Sequence, residues 1–265
     1  MNYKELVMKT IQNLLYAGIV SVLGVTGVFA TPSTQIWIPS TDIQGFLKPH
    51  LGWDSYLTNT GKNSVTQFGA VTNGGITIGV LPFDKIGMEI GVDYRDLSGN
   101  HTYPMYYNAK IGVPEDAFFK YMPAVAVGGY DFGAKENYSD YNIVYGLIAR
   151  TIGKAGRFSL GYYSGNNKLL VDVSDGKKDN SGLLASWDRT MTEISDKLWL
   201  AVDYQGTKNS YGALTVGGSW AITPDASFII GYDIWNDADN YKPTFTVQID
   251  MNLTPINEWF KKATK

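Results

Sequence analysis

The chain has 265 residues and a formal net charge of −3, so its charge gives no reason to expect nucleic acid as a partner. It contains no cysteine, which excludes thiolate metal sites, thiol catalysis and disulfides. A mean hydropathy of −0.13 excludes a bundle of transmembrane helices but not a membrane β-barrel, where alternating apolar and polar residues average out.

Residues 1–30 place Lys4 and Lys9 before an apolar run from Leu14 to Phe29, and Val28-Phe29-Ala30 then offers small residues for cleavage. This is the pattern of a secretory signal peptide, and an uncleaved anchor is the competing reading. Residues 31–42, "TPSTQIWIPSTD", form a polar lead-in expected on the periplasmic side.

From there to the tail, period-two alternation replaces any helical period. Ile86, Met88, Ile90, Val92 and Tyr94 alternate with Gly87, Glu89, Gly91, Asp93 and Arg95. Similar alternation runs through 141–150, 198–205, 213–222 and 243–253. Short breakers such as "PFDK" and "TPDA" take turns with longer polar stretches near 59–64, 97–103, 132–139, 166–181, 207–210 and 237–241. The runs between them predict strands near 43–58, 65–81, 86–96, 104–113, 119–131, 140–152, 157–166, 182–194, 197–206, 211–222, 227–236 and 242–253. Short turns at one edge and long loops at the other describe an all-β fold: a closed antiparallel up-and-down transmembrane β-barrel of about 12 strands over 43–253. Residues 254–265 follow as a periplasmic tail in which Trp259 and Phe260 sit beside Lys261 and Lys262.

Aromatic residues mark both edges. Tyr94, Tyr130, Tyr162, Tyr204 and Tyr232 close strands that lead into long loops, while Phe158, Trp220 and Phe228 lie toward the short turns. Two such rows are the girdle expected where amphipathic rings meet the two membrane interfaces.

With these features the chain resembles a Gram-negative outer-membrane β-barrel. The stretches "ATPSTQIWIPSTDIQ" (30–44) and "GVLPFDKIGMEIGVDY" (79–94) look like segments of a family of predicted outer-membrane proteins. The resemblance implies the cell outer membrane as the location. It implies outer-membrane lipid and the barrel-insertion machinery as partners, and it carries no functional residues over. One departure concerns the end: such barrels usually finish on an aromatic residue of the last strand, whereas here "TPINEWFKKATK" follows Leu253.

Chemistry is sparse. The enzyme class known among twelve-stranded barrels is a phospholipase that needs a His and a Ser two apart on one outward face. His50 is followed by Leu51 and Gly52, and His101 by Thr102 and Tyr103, so neither fits and no enzyme is expected. No spacing suggests a metal or another cofactor. Asp140, Asp175 and Asp179 read as solvated loop charge.

The wet face carries the functional expectation. Alternation places Lys48, His50, Asp54, Glu89, Asp93, Arg95, Lys110, Asp131, Arg150, Asp203, Asp233 and Asp250 inside. At the lipid midplane a Lys or Arg would cost roughly 2–4 kcal/mol. Asp54, Asp93, Asp131, Asp203 and Asp233 fall near the long-loop end, as an acidic ring that would favour cations or small polar solutes. The opposing reading is a lumen closed by salt bridges from Lys48, Arg95, Lys110 and Arg150. Arg189 stays ambiguous: strict alternation aims it at lipid, and a bulge after Trp187 would turn it inward. The resulting expectation is a porin-like channel for passive diffusion, and the alternative is a non-conducting structural or adhesion barrel. Solute identity and oligomeric state are not legible.

Overall fold

The computed structural model describes residues 34–58, 71–97 and 102–258. The expected signal peptide, His101, Trp259 and Phe260 lie outside the described residues. Twelve strands follow one another: β1 (Pro49–Thr58), β2 (Val71–Gly79), β3 (Gly87–Leu97), β4 (Met105–Val113), β5 (Ala124–Gly133) and β6 (Asp140–Thr151). The second half is β7 (Arg157–Ser164), β8 (Ser181–Thr190), β9 (Leu198–Gln205), β10 (Ala213–Thr223), β11 (Ala226–Trp235) and β12 (Thr244–Asn252). Each pairs antiparallel with its sequence neighbours, and β12 returns to β1, so the sheet is a closed barrel. Closure runs from His50↔Asn252 to Thr58↔Thr244 and leaves no edge strand with unpaired backbone groups. The tail reinforces the seam: the N–H of Leu253 donates to the carbonyl of Pro49 at 2.8 Å, and that of Ile256 to Leu47 at 2.9 Å.

Alternation sorts the side chains. On β12, Phe245, Ile249 and Met251 are exposed on the outside, while Thr244, Thr246, Gln248 and Asp250 are buried inside. The same holds around the outer wall, where Trp53, Ile90, Ile111, Val127, Ile148, Leu160, Val216 and Ile230 stand exposed. An apolar belt this continuous is a surface built for lipid rather than water.

Residues 34–44 do not lie beyond the short-turn end as the lead-in was expected to. They are inside the barrel. Ile38 and Ser40 are fully buried, and Gln35, Ile36, Thr41 and Gln44 nearly so. A tight turn closed by the Gln35 N–H on the Ile38 carbonyl at 2.7 Å folds the segment back on itself. Glycines make the space for it. A Cβ on Gly217 or Gly231 would meet the Ile36 side chain at 2.9 Å. One on Gly79 would collide with the backbone of Gln44 and Gly45, where the segment leaves the lumen to become β1.

The segment and the wall share an apolar core. Ile38, Ile143, Tyr145, Leu147, Tyr163, Leu184 and Tyr211 form one cluster, joined by Leu170 from the β7–β8 loop, and Ile36, Trp199, Ala201 and Ile229 form a second. The interior of β6 to β11 is thus packed much like a soluble protein. Polar contacts pin the plug to it. Both N–H groups of Ile36 and Trp37 donate to one oxygen of Asp203, at 2.8 and 3.0 Å. Gln248 donates to the Ile36 carbonyl at 2.8 Å. Trp37 donates its indole N–H to the Tyr211 carbonyl at 2.8 Å and stands edge-on to Tyr56 and Trp235.

Candidate functional site: a half-open lumen

The plug fills one side of the barrel and leaves the other side hollow. A cavity of about 180 Å³ remains against β1 to β5, reaching Asp250 on β12 and bounded on its inner side by Thr34, Trp37 and Pro39 of the plug. Its wall is polar because these strands alternate with charged or amide residues at their inward positions.

Ion pairs order part of that wall. Arg95 grips Asp131 with two bonds, at 2.6 and 3.2 Å, and lies over the Tyr106 ring. The Tyr211 hydroxyl donates to the same carboxylate in a very short bond. Lys110 and Glu89, both buried, are 3.3 Å apart, and Glu89 also accepts the backbone N–H of Gln44 at 2.6 Å. His50 sits 3.3 Å from Asp250 through Nε2 and 3.3 Å from Asn252 through Nδ1. Asp54 and Asp93 have neutral partners instead: Asn73 donates to Asp54 at 3.5 Å and Asn108 to Asp93 at 2.7 Å.

The other expected lumen residues sit differently. Asp203 holds the plug, as described. Asp233 accepts hydroxyl bonds from Thr215 and Thr244, at 3.0 and 2.6 Å. The five aspartates of the expected ring therefore do not share one open mouth: Asp203 and Asp233 belong to the packed side, and Asp131 is held by Arg95. Lys48 is at the short-turn rim, where it pairs with Asp225 at 2.9 Å. Arg150 is also displaced. On β6 the inward residues are Ile143, Tyr145, Leu147 and Ala149, so Arg150 takes the outward parity and reaches Asp116 at 2.9 Å and Glu115 at 3.2 Å in the β4–β5 turn. The phase misled because β6 is apolar on both faces: one meets lipid and the other meets the core. Arg189 keeps simple alternation. It points outward near the short turns and bonds to Glu193 at 2.7 Å, with no bulge in the β8 pairings.

Tyr94, Tyr162, Tyr232, Phe158 and Trp220 are exposed on the outer wall, and Tyr204 and Phe228 share its parity. Tyr130 is the exception. It keeps the inward parity of Ala124, Ala126 and Gly128, and a bulge between Tyr130 and Phe132, with Asp131 at φ 56°, turns Asp131 inward beside it. There the Tyr130 hydroxyl meets Gln205.

Sequence reasoning missed the cluster of Asp42, Arg157 and the buried Asp188. Arg157 bonds to both oxygens of Asp42 at 2.7 Å and to Asp188 at 2.9 Å, tying plug to wall. Asp188 also accepts Gln35 at 3.0 Å and Trp199 at 3.2 Å. The signal was present: Arg157, Ser159, Gly161 and Tyr163 alternate, as do Leu184, Ser186 and Asp188.

No family model matches the chain, and no curated protein matches it. Several solved structures are similar to it. The NanC porin is 10% identical, with a TM-score of 0.44, covering 77% of this chain and 100% of that one. The outer membrane phospholipase A from Escherichia coli is 12% identical, with a TM-score of 0.41, covering 78% and 92%. An outer membrane channel from Pseudomonas putida F1 is 8% identical, with a TM-score of 0.39, covering 78% and 94%.

Proposed function

We propose that the chain is an outer-membrane barrel that passes small polar solutes, cations preferred, along an off-axis path between its own N-terminal plug and the wall of β1 to β5. The observation that carries this reading is the polar cavity left on that side while the opposite side is packed solid. Asp54, Asp93 and Asp250 supply negative charge to the path, and Lys110 and Arg95 are paired with Glu89 and Asp131. Such charges set which ions enter a narrow lumen. The apolar outer belt and the secretory pattern of residues 1–30 support the location.

Catalysis has no support in these residues. The two ring nitrogens of His50 face Asp250 and Asn252, not the hydroxyl that a serine nucleophile would supply. The competing reading, a non-conducting barrel, is favoured by the buried bonds of the plug to Asp203, Gln248 and Asp188.

Single-channel recording in planar bilayers decides between them. Small, cation-preferring steps support the channel. Absence of any conductance in protein that shows heat-modifiable mobility on a gel supports the closed barrel. Liposome swelling with sized sugars then fixes the exclusion limit.

A further inference from the structure

The short-turn rim is unevenly decorated. The turns after β8 and β10 carry Glu193, Asp196 and Asp225 and no aromatic residue. The turns after β2 and β4 carry Phe83, Phe118, Phe119 and Tyr121, with Lys85 and Lys120 beside them. Phe83, Phe119 and Tyr121 are 63, 64 and 69% exposed, more than any ring on the described strands, where Tyr162 reaches 57%. These rings stand clear of the wall instead of lying along it.

The β4–β5 turn, 114–123, is the longest connection on this rim, and it is built to hold the rings out. Asp116 and Tyr121 both take left-handed backbone, at φ 59° and 68°. A bulky residue such as Tyr121 keeps that conformation only where its surroundings dictate it. Here the Tyr121 N–H donates to Asp116 Oδ1 at 2.5 Å, and the Asp116 N–H to the Met122 carbonyl at 3.0 Å. Arg150 donates to Asp116 at 2.9 Å and to the Met122 carbonyl at 3.0 Å, and Glu115 accepts the Thr151 N–H at 2.9 Å. The acids of the turn are thereby engaged, whereas the lysines face rings. Lys85 Nζ lies 5.5 Å from the centre of the Phe118 ring and Lys120 Nζ 4.8 Å from that of Tyr121. Neither lysine forms an ion pair among the described residues, and Lys120 acts on Asp116 only through space. Against the exposed Asp84, the surface offers Lys85, Lys120 and, on the next turn, Lys154.

Depth decides what covers this patch. Val113↔Val125 is the last pair of β4 and β5 before the turn, and both share the outward parity of the exposed Ile111 and Val127. The Arg150 guanidinium, 5.7 Å from the centre of the Tyr121 ring, comes from a residue paired across strands with Phe158, an exposed ring of the girdle on this side. The patch therefore continues the apolar belt into the headgroup layer with no polar gap between them. Aromatic rings and lysines settle at that depth because each has an apolar body and a polar tip. A protein partner would have to enter the headgroup layer to cover the same rings.

We propose that the β4–β5 turn, with Lys85 from the β2–β3 turn, binds the headgroup of an anionic glycerophospholipid in the leaflet at the short-turn end. The two ammonium groups donate to the phosphodiester oxygens. Phe118, Phe119 and Tyr121 pack against the glycerol backbone and the first acyl carbons. The site needs only that the barrel spans a bilayer and does not depend on the channel reading.

The experiment is native mass spectrometry of the detergent-folded chain offered equal amounts of phosphatidylglycerol and phosphatidylcholine. The first retained lipid should be phosphatidylglycerol by about fivefold, roughly the effect of one lysine at an anionic membrane surface. Lys85→Gln with Lys120→Gln should bring the ratio close to one while heat-modifiable mobility is retained. Lys197→Gln, on the acidic side of the same rim, should leave the ratio as it was. Phe118→Ser with Tyr121→Ser keeps both lysines and should lower the amount of phosphatidylglycerol retained. No preference for the anionic lipid, a preference unchanged in the folded Lys85→Gln, Lys120→Gln variant, or an equal loss in Lys197→Gln would each overturn the site. A dimer that Tyr121→Ser dissolves, without any lipid preference, would overturn it in favour of a second copy of the chain.

Discussion

The walls from β1 to β5 and from β6 to β11 are built from the same alternating pattern, yet their interiors differ. On the second wall the inward residues include Ile143, Tyr145, Leu147, Leu184, Trp199 and Ile229 beside bonded polar groups such as Asp188, Asp203 and Asp233, and the plug completes a packed core with Ile36 and Ile38. On the first wall the inward residues include Asp54, Asn73, Asp93, Asn108 and Lys110, and a cavity remains. Lipid demands only that the outer face be apolar. The inner face is free to become either a protein core or a polar cavity, and this barrel has both.

The contrast can be broken most severely by removing residues 34–44. The packed wall would then face water. Loss of the burial of Ile36 and Ile38 costs about 1.5–3 kcal/mol for each side chain. Guanidinium unfolding in detergent should show that loss, and bilayer recordings should show the largest rise in conductance of any variant. Conductance equal to the parent chain would mean that the plug does not limit the path.

Next in size is Arg157→Met. It strands Asp188, which is buried beside Trp199 and Gln35, and removing one partner of a buried pair costs about 3–5 kcal/mol. Because the same guanidinium holds Asp42, conductance should flicker between the parent level and a wider one. Asp203→Ala is milder. It leaves the N–H groups of Ile36 and Trp37 without their acceptor, at about 1–3 kcal/mol for each group left unpaired. Its stability loss should be additive with that of Arg150→Gln and much less than additive with deletion of the plug.

The smallest effect belongs to the rim. Arg150→Gln should leave conductance unchanged, since the residue faces away from the lumen. A hydrogen bond from Arg150 holds the Asp116 carboxyl below its ordinary range. Its contribution to stability is therefore present above the unfolded carboxylate pKa, about 3.9, and is lost as pH falls through the lower folded value. Unfolding curves recorded from pH 6 down to pH 3 should differ between parent and Arg150→Gln at the upper end and converge at the lower.

The sheet was legible because lipid imposes a strict period of two on every strand, and turn residues punctuate it. β3, β9, β10 and β12 could be assigned inside and outside residue by residue. β6 could not: Val144 and Ile148 face lipid, and Ile143 and Leu147 face the core, so hydropathy holds no phase. Tyr130 escaped because a bulge lets Asp131 face inward beside it, so the inward aspartate did not mark the parity of the tyrosine. The plug escaped for a different reason. Gln35, Ile36, Trp37 and Ile38 show no period of their own, and their place is set by partners more than 150 positions away, such as Asp188 and Asp203. The inward glycines Gly217 and Gly231 were the one local trace of it, as side-chain-free positions opposite something bulky.

Strand order in this barrel equals chain order. One unbroken stretch of polypeptide, from Pro49 to Gly133, therefore encodes nearly the whole wet wall, with Asp250 added across the seam. The dry wall is encoded by a second unbroken stretch. The first stretch also holds the plug at Glu89, Lys110 and Tyr56, so a segment exchanged between related chains at the β5–β6 loop would carry the polar wall together with its share of the plug contacts.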